Sequence, residues 1–99
     1  YMSDGAQTFT YKKLAIPAGT NLALDYKFMV TGDVKNTFTI SAGEQQLVSE
    51  SASGWSEKER EGTEPFTSSS ATTYIRCRNS YGAGLSYTEL YRVGIKYRQ

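Results

Sequence analysis

The sequence predicts an all-β chain, folded as an antiparallel two-layer β-sandwich of about seven or eight strands. Three observations carry that prediction. From Leu22 to Val30, the residues Leu22, Leu24, Tyr26, Phe28 and Val30 share one parity, and Ala23, Asp25, Lys27 and Met29 take the other. That is the period of a strand with one face on a core and the other in water. Turn signals built on Gly, Pro, Asn and Asp recur along the chain at the short spacings of an all-β sandwich, and no segment supports a helix longer than two turns. Finally, eight tyrosines, four phenylalanines and one tryptophan in 99 residues favour strands.

Each element follows in order. In Gln7 to Leu14, Phe9 and Tyr11 alternate with Thr8, Thr10 and Lys12, and Pro17, Gly19 and Asn21 supply a turn before the main strand. Gly32, Asp33 and Asn36 mark the next reversal. Thr37 to Ala42 then sets Phe38, Ile40 and Ala42 on one parity and ends at Gly43 and Glu44, with a weaker strand from Gln46 to Ser51. Gly54 to Gly62 alternates in charge, and a strand there puts Glu57, Glu59 and Glu61 on one face and Lys58 and Arg60 on the other. A short helix is the competing reading, but it sets Glu57 against Glu61 at i,i+4 in a segment too short to hold, so an edge strand is preferred. Pro65 to Ala71 reads as a Ser/Thr-rich connection. Thr72 to Arg78 alternates again, with Thr73, Ile75 and Cys77 inward and Tyr74, Arg76 and Arg78 outward. Asn79 to Gly84 is a glycine-containing loop. The last strand, Tyr87 to Tyr97, places Tyr91, Val93, Ile95 and Tyr97 on one face, opposite Arg92, Lys96 and Arg98.

Composition bounds the function. Ninety-nine residues make one domain, and with a single cysteine, Cys77, the fold rests on its core and not on an internal disulfide. No stretch approaches the roughly 20 apolar residues of a membrane span, which argues against membrane insertion. Residues 1–7 carry neither the basic nor the apolar region of a signal peptide, and the chain reads as a segment of a larger protein whose targeting signal lies elsewhere. Residues 1–75 hold six basic and nine acidic side chains, and residues 76–99 hold five basic and one acidic. The halves therefore stand at −3 and +4, enough to steer an anionic partner toward the C-terminal strands but far from the balance of a nucleic-acid binder.

The order of features resembles the jelly-roll modules grouped with carbohydrate-binding, MAM-type and galactose-binding-like domains. The residues that carry the likeness are the strand Leu22 to Val30 after Ile16-Pro-Ala-Gly19, then Gly54-Trp55, then Tyr74-Ile-Arg-Cys-Arg-Asn79, and the terminal Tyr91-Arg-Val-Gly-Ile95. The resemblance implies a jelly-roll-like sandwich with a binding role. In those modules the last segment usually reads as an aromatic residue followed by Asp-Asn-Ile, and here Arg92-Val-Gly94 stands in its place, so a family calcium or ligand role does not transfer. A shorter immunoglobulin-like or fibronectin-like sandwich is the rival, without the paired Cys and central Trp of antibody domains.

Catalysis is tested by subtraction. With no histidine, the chain lacks the usual general base of Ser and Cys nucleophiles and the commonest zinc ligand. Cys77 shares the apolar parity of Ile75 and reads as a core residue. Glu57, Glu59, Glu61 and Glu64 offer similar surroundings that cannot separate two pKa values into an acid and a base, and a solvated charged edge explains them. Asp4, Asp25 and Asp33 lack the clustering of a calcium loop, and the glycines near Tyr81 lack the Lys-Ser/Thr of a phosphate loop. No catalytic residue, metal ligand or cofactor is expected, a structural calcium on oxygen ligands such as Asp4, Asp25 or Asp33 being the one alternative left open.

Binding rests on aromatics near turns. Trp55, Tyr81 and Tyr87, with Arg78 and Asn79 as planar donors, form the expected ligand site, since sugar rings present C–H faces to aromatics and hydroxyls to amides and guanidinium groups. The plainer reading of Trp55 is a core anchor. A second candidate surface joins Tyr74, Arg76 and Arg78 to Arg92, Lys96 and Arg98, if the sixth and last strands lie close. The leading function is a non-catalytic module of an extracellular, cell-surface or virion protein that recognises glycans or cell-surface ligands. The alternative is a structural or receptor-binding domain of a phage tail, fibre or capsid decoration protein, self-associating through Tyr-rich faces.

Overall fold

The computed structural model describes residues 2–3, 7–32, 35–81 and 87–98, and for residues 2, 3, 7–9 and 81 it describes the backbone alone. Eight strands run through them: β1 (Met2–Ser3), β2 (Gln7–Leu14), β3 (Asn21–Gly32), β4 (Asn36–Ala42), β5 (Gln45–Ala52), β6 (Ser56–Thr67), β7 (Thr73–Tyr81) and β8 (Tyr87–Tyr97). They form two four-stranded antiparallel sheets, ordered β1-β8-β3-β6 and β2-β7-β4-β5. Only β4 and β5 are neighbours both in sequence and in a sheet; every other connection crosses between layers. That order is a jelly roll, and it differs from the immunoglobulin arrangement.

The core is the meeting of the two inner faces. Leu22, Leu24, Tyr26, Phe28 and Val30 of β3 are buried against Phe38, Ile40 and Ala42 of β4 and Ile75 and Cys77 of β7. Phe28 and Phe38 join the layers at the centre, with ring centroids 4.8 Å apart and planes tilted by 57°, the inclined geometry aromatic pairs favour. Ala23, on the outward parity, is also buried.

Strand β6 lies at a sheet edge, paired with β3 from Ser56↔Gly32 to Thr67↔Asn21. It runs past Gly62 and takes in Pro65 and the buried Phe66, which the sequence assigns to a connection. Proline is tolerated here because an edge strand has a free side for the missing N–H. Phe66 sits opposite Leu22 and extends the apolar face by one more residue.

Three register shifts interrupt the ladders, one of them at Leu47 of β5 and two that re-aim residues at the open edges. In β2 the register steps between Thr10 and Lys12, and in β8 the extra residue is Tyr91. Each inserts one residue and switches the parity beyond it. Leu14 thereby turns inward opposite Thr73. Tyr91, expected on the apolar face with Val93, instead lies outside and is 50% exposed.

The long edges of the sandwich differ. Along β5 and β6, Arg60 reaches between the layers: its Nη1 donates to the Ser49 carbonyl at 2.9 Å and lies 3.4 Å from a Glu50 carboxylate oxygen. Along β2 and β8, Tyr11 donates its hydroxyl to the Val93 carbonyl at 2.6 Å. At the end holding the β2–β3 and β6–β7 connections, buried Ser68 donates to the Pro17 carbonyl at 2.7 Å and accepts from the Thr20 amide at 2.9 Å.

Candidate functional site

The residues of the expected aromatic and amide site fall on a turn, on both sheets and, for Asn79, in the interior. Trp55 occupies the β5–β6 turn, where the Ser56 amide donates to the Ser53 carbonyl at 3.3 Å and Gly54 and Trp55 have φ of 63° and 62°. Two successive left-handed residues close a type I′ turn, a conformation Gly adopts freely and Trp does not. The indole is 70% exposed and is no core anchor. Tyr87 lies beside Thr31 on the outer side of the β8-β3 pair. Arg78 projects from the other sheet, opposite Thr39.

Asn79 is in the interior. It follows Cys77 on the inward parity of β7, is 0% exposed, and accepts the Thr88 hydroxyl at 2.5 Å through Oδ1. An amide so placed cannot reach a surface ligand, which corrects its assignment as a planar donor. The strand also runs through Asn79 to Tyr81, where a loop was expected. Tyr81's side chain, the rest of that glycine-containing loop, Asp4 and Asp33 lie outside the described residues.

The expected basic surface divides in the same way, because β7 and β8 belong to different sheets. Tyr74, Arg76 and Arg78 face out from one layer, and Arg92 and Lys96 from the other. Arg98 closes the end of the sandwich, where its Nε donates to the Leu22 carbonyl at 2.9 Å and its Nη2 to the Phe66 carbonyl at 3.4 Å. Its role is to satisfy strand-end carbonyls.

The outer side of β8-β3-β6 is a compensated charge lattice. Arg92 lies 3.3 Å from Asp25 and 3.1 Å from Glu61, and Lys27 lies 3.6 Å from Glu59. Tyr91 donates to Glu89 at 2.9 Å under Lys27, and that hydrogen bond to a carboxylate holds its phenol above the ordinary range. Here Glu57, Glu59 and Glu61 point outward as expected, two of them engaged by cations. Among the described residues, no cluster of three potential ligands could hold a metal ion.

The outer side of β2-β7-β4-β5 has another character. Across it the register aligns Lys13 with Tyr74, then Thr10, Arg76, Ser41 and Gln46, then Arg78, Thr39 and Ser49, then Ser80, Thr37 and Ser51. No Asp or Glu stands at an outward position in those rows. Glu50 has inward parity, opposite Phe38, and turns to Arg60. The Arg76 guanidinium stacks over the Tyr74 ring at 4.9 Å from its centroid, and the Thr37 and Ser51 hydroxyls share a hydrogen bond of 2.8 Å. The hydroxyl rows escaped the sequence reading, although the alternation of Thr37, Thr39 and Ser41 against Phe38, Ile40 and Ala42 signals them. Such a face offers cationic forks, a ring platform and paired donor-acceptors on a flat pleated surface.

Cys77 has no access to chemistry. It is fully buried, and desolvation pushes its thiol from 9.0 up to about 12, so it stays protonated at neutral pH. Comparison with models of known families, with characterised proteins and with solved structures found no match.

Proposed function

We propose that this chain is a non-catalytic binding module that recognises acidic glycans through the outer face of β2-β7-β4-β5. One observation carries the reading: Arg76 and Arg78 stand two residues apart on β7, flanked by hydroxyl-bearing strands, with no carboxylate at an outward register position in the rows around them. Guanidinium groups pair with carboxylate or sulfate groups by parallel hydrogen bonds. The Tyr74 ring, braced by Arg76, suits the C–H face of a sugar. Serine and threonine hydroxyls both donate and accept, as sugar hydroxyls require. A flat face of this kind favours an extended chain over a small enclosed ligand. A module of this type belongs to an extracellular, cell-surface or virion protein.

The test is a panel of immobilised polysaccharides, sulfated, uronic-acid-bearing and neutral, probed at low and moderate salt. Binding should be confined to the acidic members and weaken as salt rises. Arg76→Ala and Arg78→Ala should each reduce affinity about tenfold, the cost of roughly 1.4 kcal/mol. Equal binding to neutral chains, or full affinity in the double variant, would overturn the proposal. Reversible self-association that buries this face would favour the rival reading, a packing element of a virion.

A further inference from the structure

We infer that a second site, a cleft between β2 and β8, binds a short amphipathic anion: a carboxylate carried on an apolar body such as a medium acyl chain. The cleft has a volume of about 290 Å³, at the small end of the range for small-molecule pockets. It shares neither Arg76 nor Arg78 with the glycan face, only the bordering Lys13, and its test touches none of the three, so it stands independently of that reading.

Its origin lies in the asymmetry of the sandwich edges. Arg60 ties β5 to β6, whereas β2 and β8 are joined by Tyr11 and Val93 and part beyond them. Leu14, Ile16, Leu22 and Ile95 line the opening as an apolar floor. Leu14 and Leu22 are buried members of the core, with Ile16 and Ile95 packed against them. Lys12, on the inward parity opposite Ile75, stands at the rim with Tyr97, which is 71% exposed, and Lys96 borders it from the outward parity of β8. Lys13 borders the cleft from the outward parity it shares with Tyr74, and among the described residues no carboxylate lines the cleft. Among the described residues, no ion pair involves Lys12, Lys13 or Lys96.

Charge complementarity and shape select the occupant. A purely apolar molecule would leave the ammonium groups unused, and a simple inorganic anion would leave the floor unused. An added β-strand requires the open backbone groups of β8. The Val93 carbonyl, just past the cleft, is already occupied by the Tyr11 hydroxyl. A short ligand with its tail on Leu14 and Ile95 and its carboxylate at the rim by Lys12, toward the edge that carries Lys96, satisfies both surfaces. Low-dielectric walls strengthen that pairing.

Titration with sodium octanoate, followed by amide chemical shifts, tests the assignment, with octan-1-ol, acetate and an acidic peptide as comparison ligands. Octanoate should move the resonances of residues 12–16 and 95–97 and bind more tightly than any comparison ligand. The exposed pair Lys12→Gln and Lys96→Gln should weaken octanoate about tenfold and leave octanol unchanged. Absence of shifts at millimolar octanoate, octanol binding as well as octanoate, an unaffected double variant, or tighter binding of the peptide would each overturn the inference.

Discussion

The Tyr26 ring lies over Gly62, its direct partner across the β3-β6 ladder, so closely that a Cβ on Gly62 would fall 2.9 Å from the tyrosine hydroxyl and 3.3 Å from Cζ. The glycine is therefore set by packing, since Tyr26 is buried and cannot swing into water. Gly62→Ala should lower stability by about 1 kcal/mol, the net of overpacking and the smaller gain from a stiffer unfolded chain. Tyr26→Phe removes the nearest atom, so the double variant should lose less than the two single losses added together. Denaturant titration of all four proteins measures the coupling, and strict additivity would show that the two residues do not contact.

Arg60 bridges layers through two kinds of bond, and their weights differ. Its guanidinium donates to a backbone carbonyl on β5 and pairs with half-buried Glu50, while resting 6.0 Å from the Tyr26 ring centroid. Exposed ion pairs contribute little, whereas a charged donor on a strand carbonyl is worth about 1.5 kcal/mol or more. Arg60→Met keeps the stem and removes both bonds. We expect a loss of about 1–2 kcal/mol that persists in 1 M salt. A loss that vanishes on adding salt would assign the effect to Glu50 instead.

Trp55 carries a left-handed backbone at an exposed turn, which costs a non-glycine residue roughly 1 kcal/mol. Asparagine tolerates that conformation and keeps the unfolded chain stiffer than glycine does. Trp55→Asn should therefore raise the denaturation midpoint by the equivalent of about 0.5–1 kcal/mol at unchanged slope. In the parent, the single tryptophan should be fully open to an aqueous quencher in the native state. A shielded indole, or a destabilised asparagine variant, would mean that the side chain packs on something.

Much of the fold is legible in the sequence, and the failures have physical causes. The stripe from Leu22 to Val30 and the alternation from Thr73 to Arg78 emerge unchanged, because an uninterrupted strand over a core keeps its parity. Tyr91 defeats the same logic, since a bulge adds a residue without altering the local pattern of side chains. The separation of Arg76 from Arg92 is a matter of topology: both lie on outward parities, but of different layers, and periodicity within a strand says nothing about which layer it joins. Asn79 was within reach, because the parity that placed Cys77 inward places Asn79 there too. The cleft was hidden for the opposite reason, as it joins residues 12–16 to residues 95–97 across the two layers.

The buried thiol gives the chain a defined alkaline limit. Cys77 ionises near 9.0 when unfolded, and burial raises it to about 12 in the fold. In that interval the folded state retains a proton that the unfolded state releases, so stability must fall as pH rises. The contribution is intact below about pH 9 and is lost at roughly 1.4 kcal/mol per pH unit until pH approaches 12. Cys77→Val fills a similar volume without a titrating group, so its loss from pH 9 upward should be smaller by that slope, while its stability at pH 7 stays within about 1.5 kcal/mol of the parent. Chemical denaturation at half-unit pH steps compares the two proteins. Parallel curves above pH 9 would show that Cys77 titrates alike in both states, and would overturn the role given to its burial between strand partners Phe9 and Ile40.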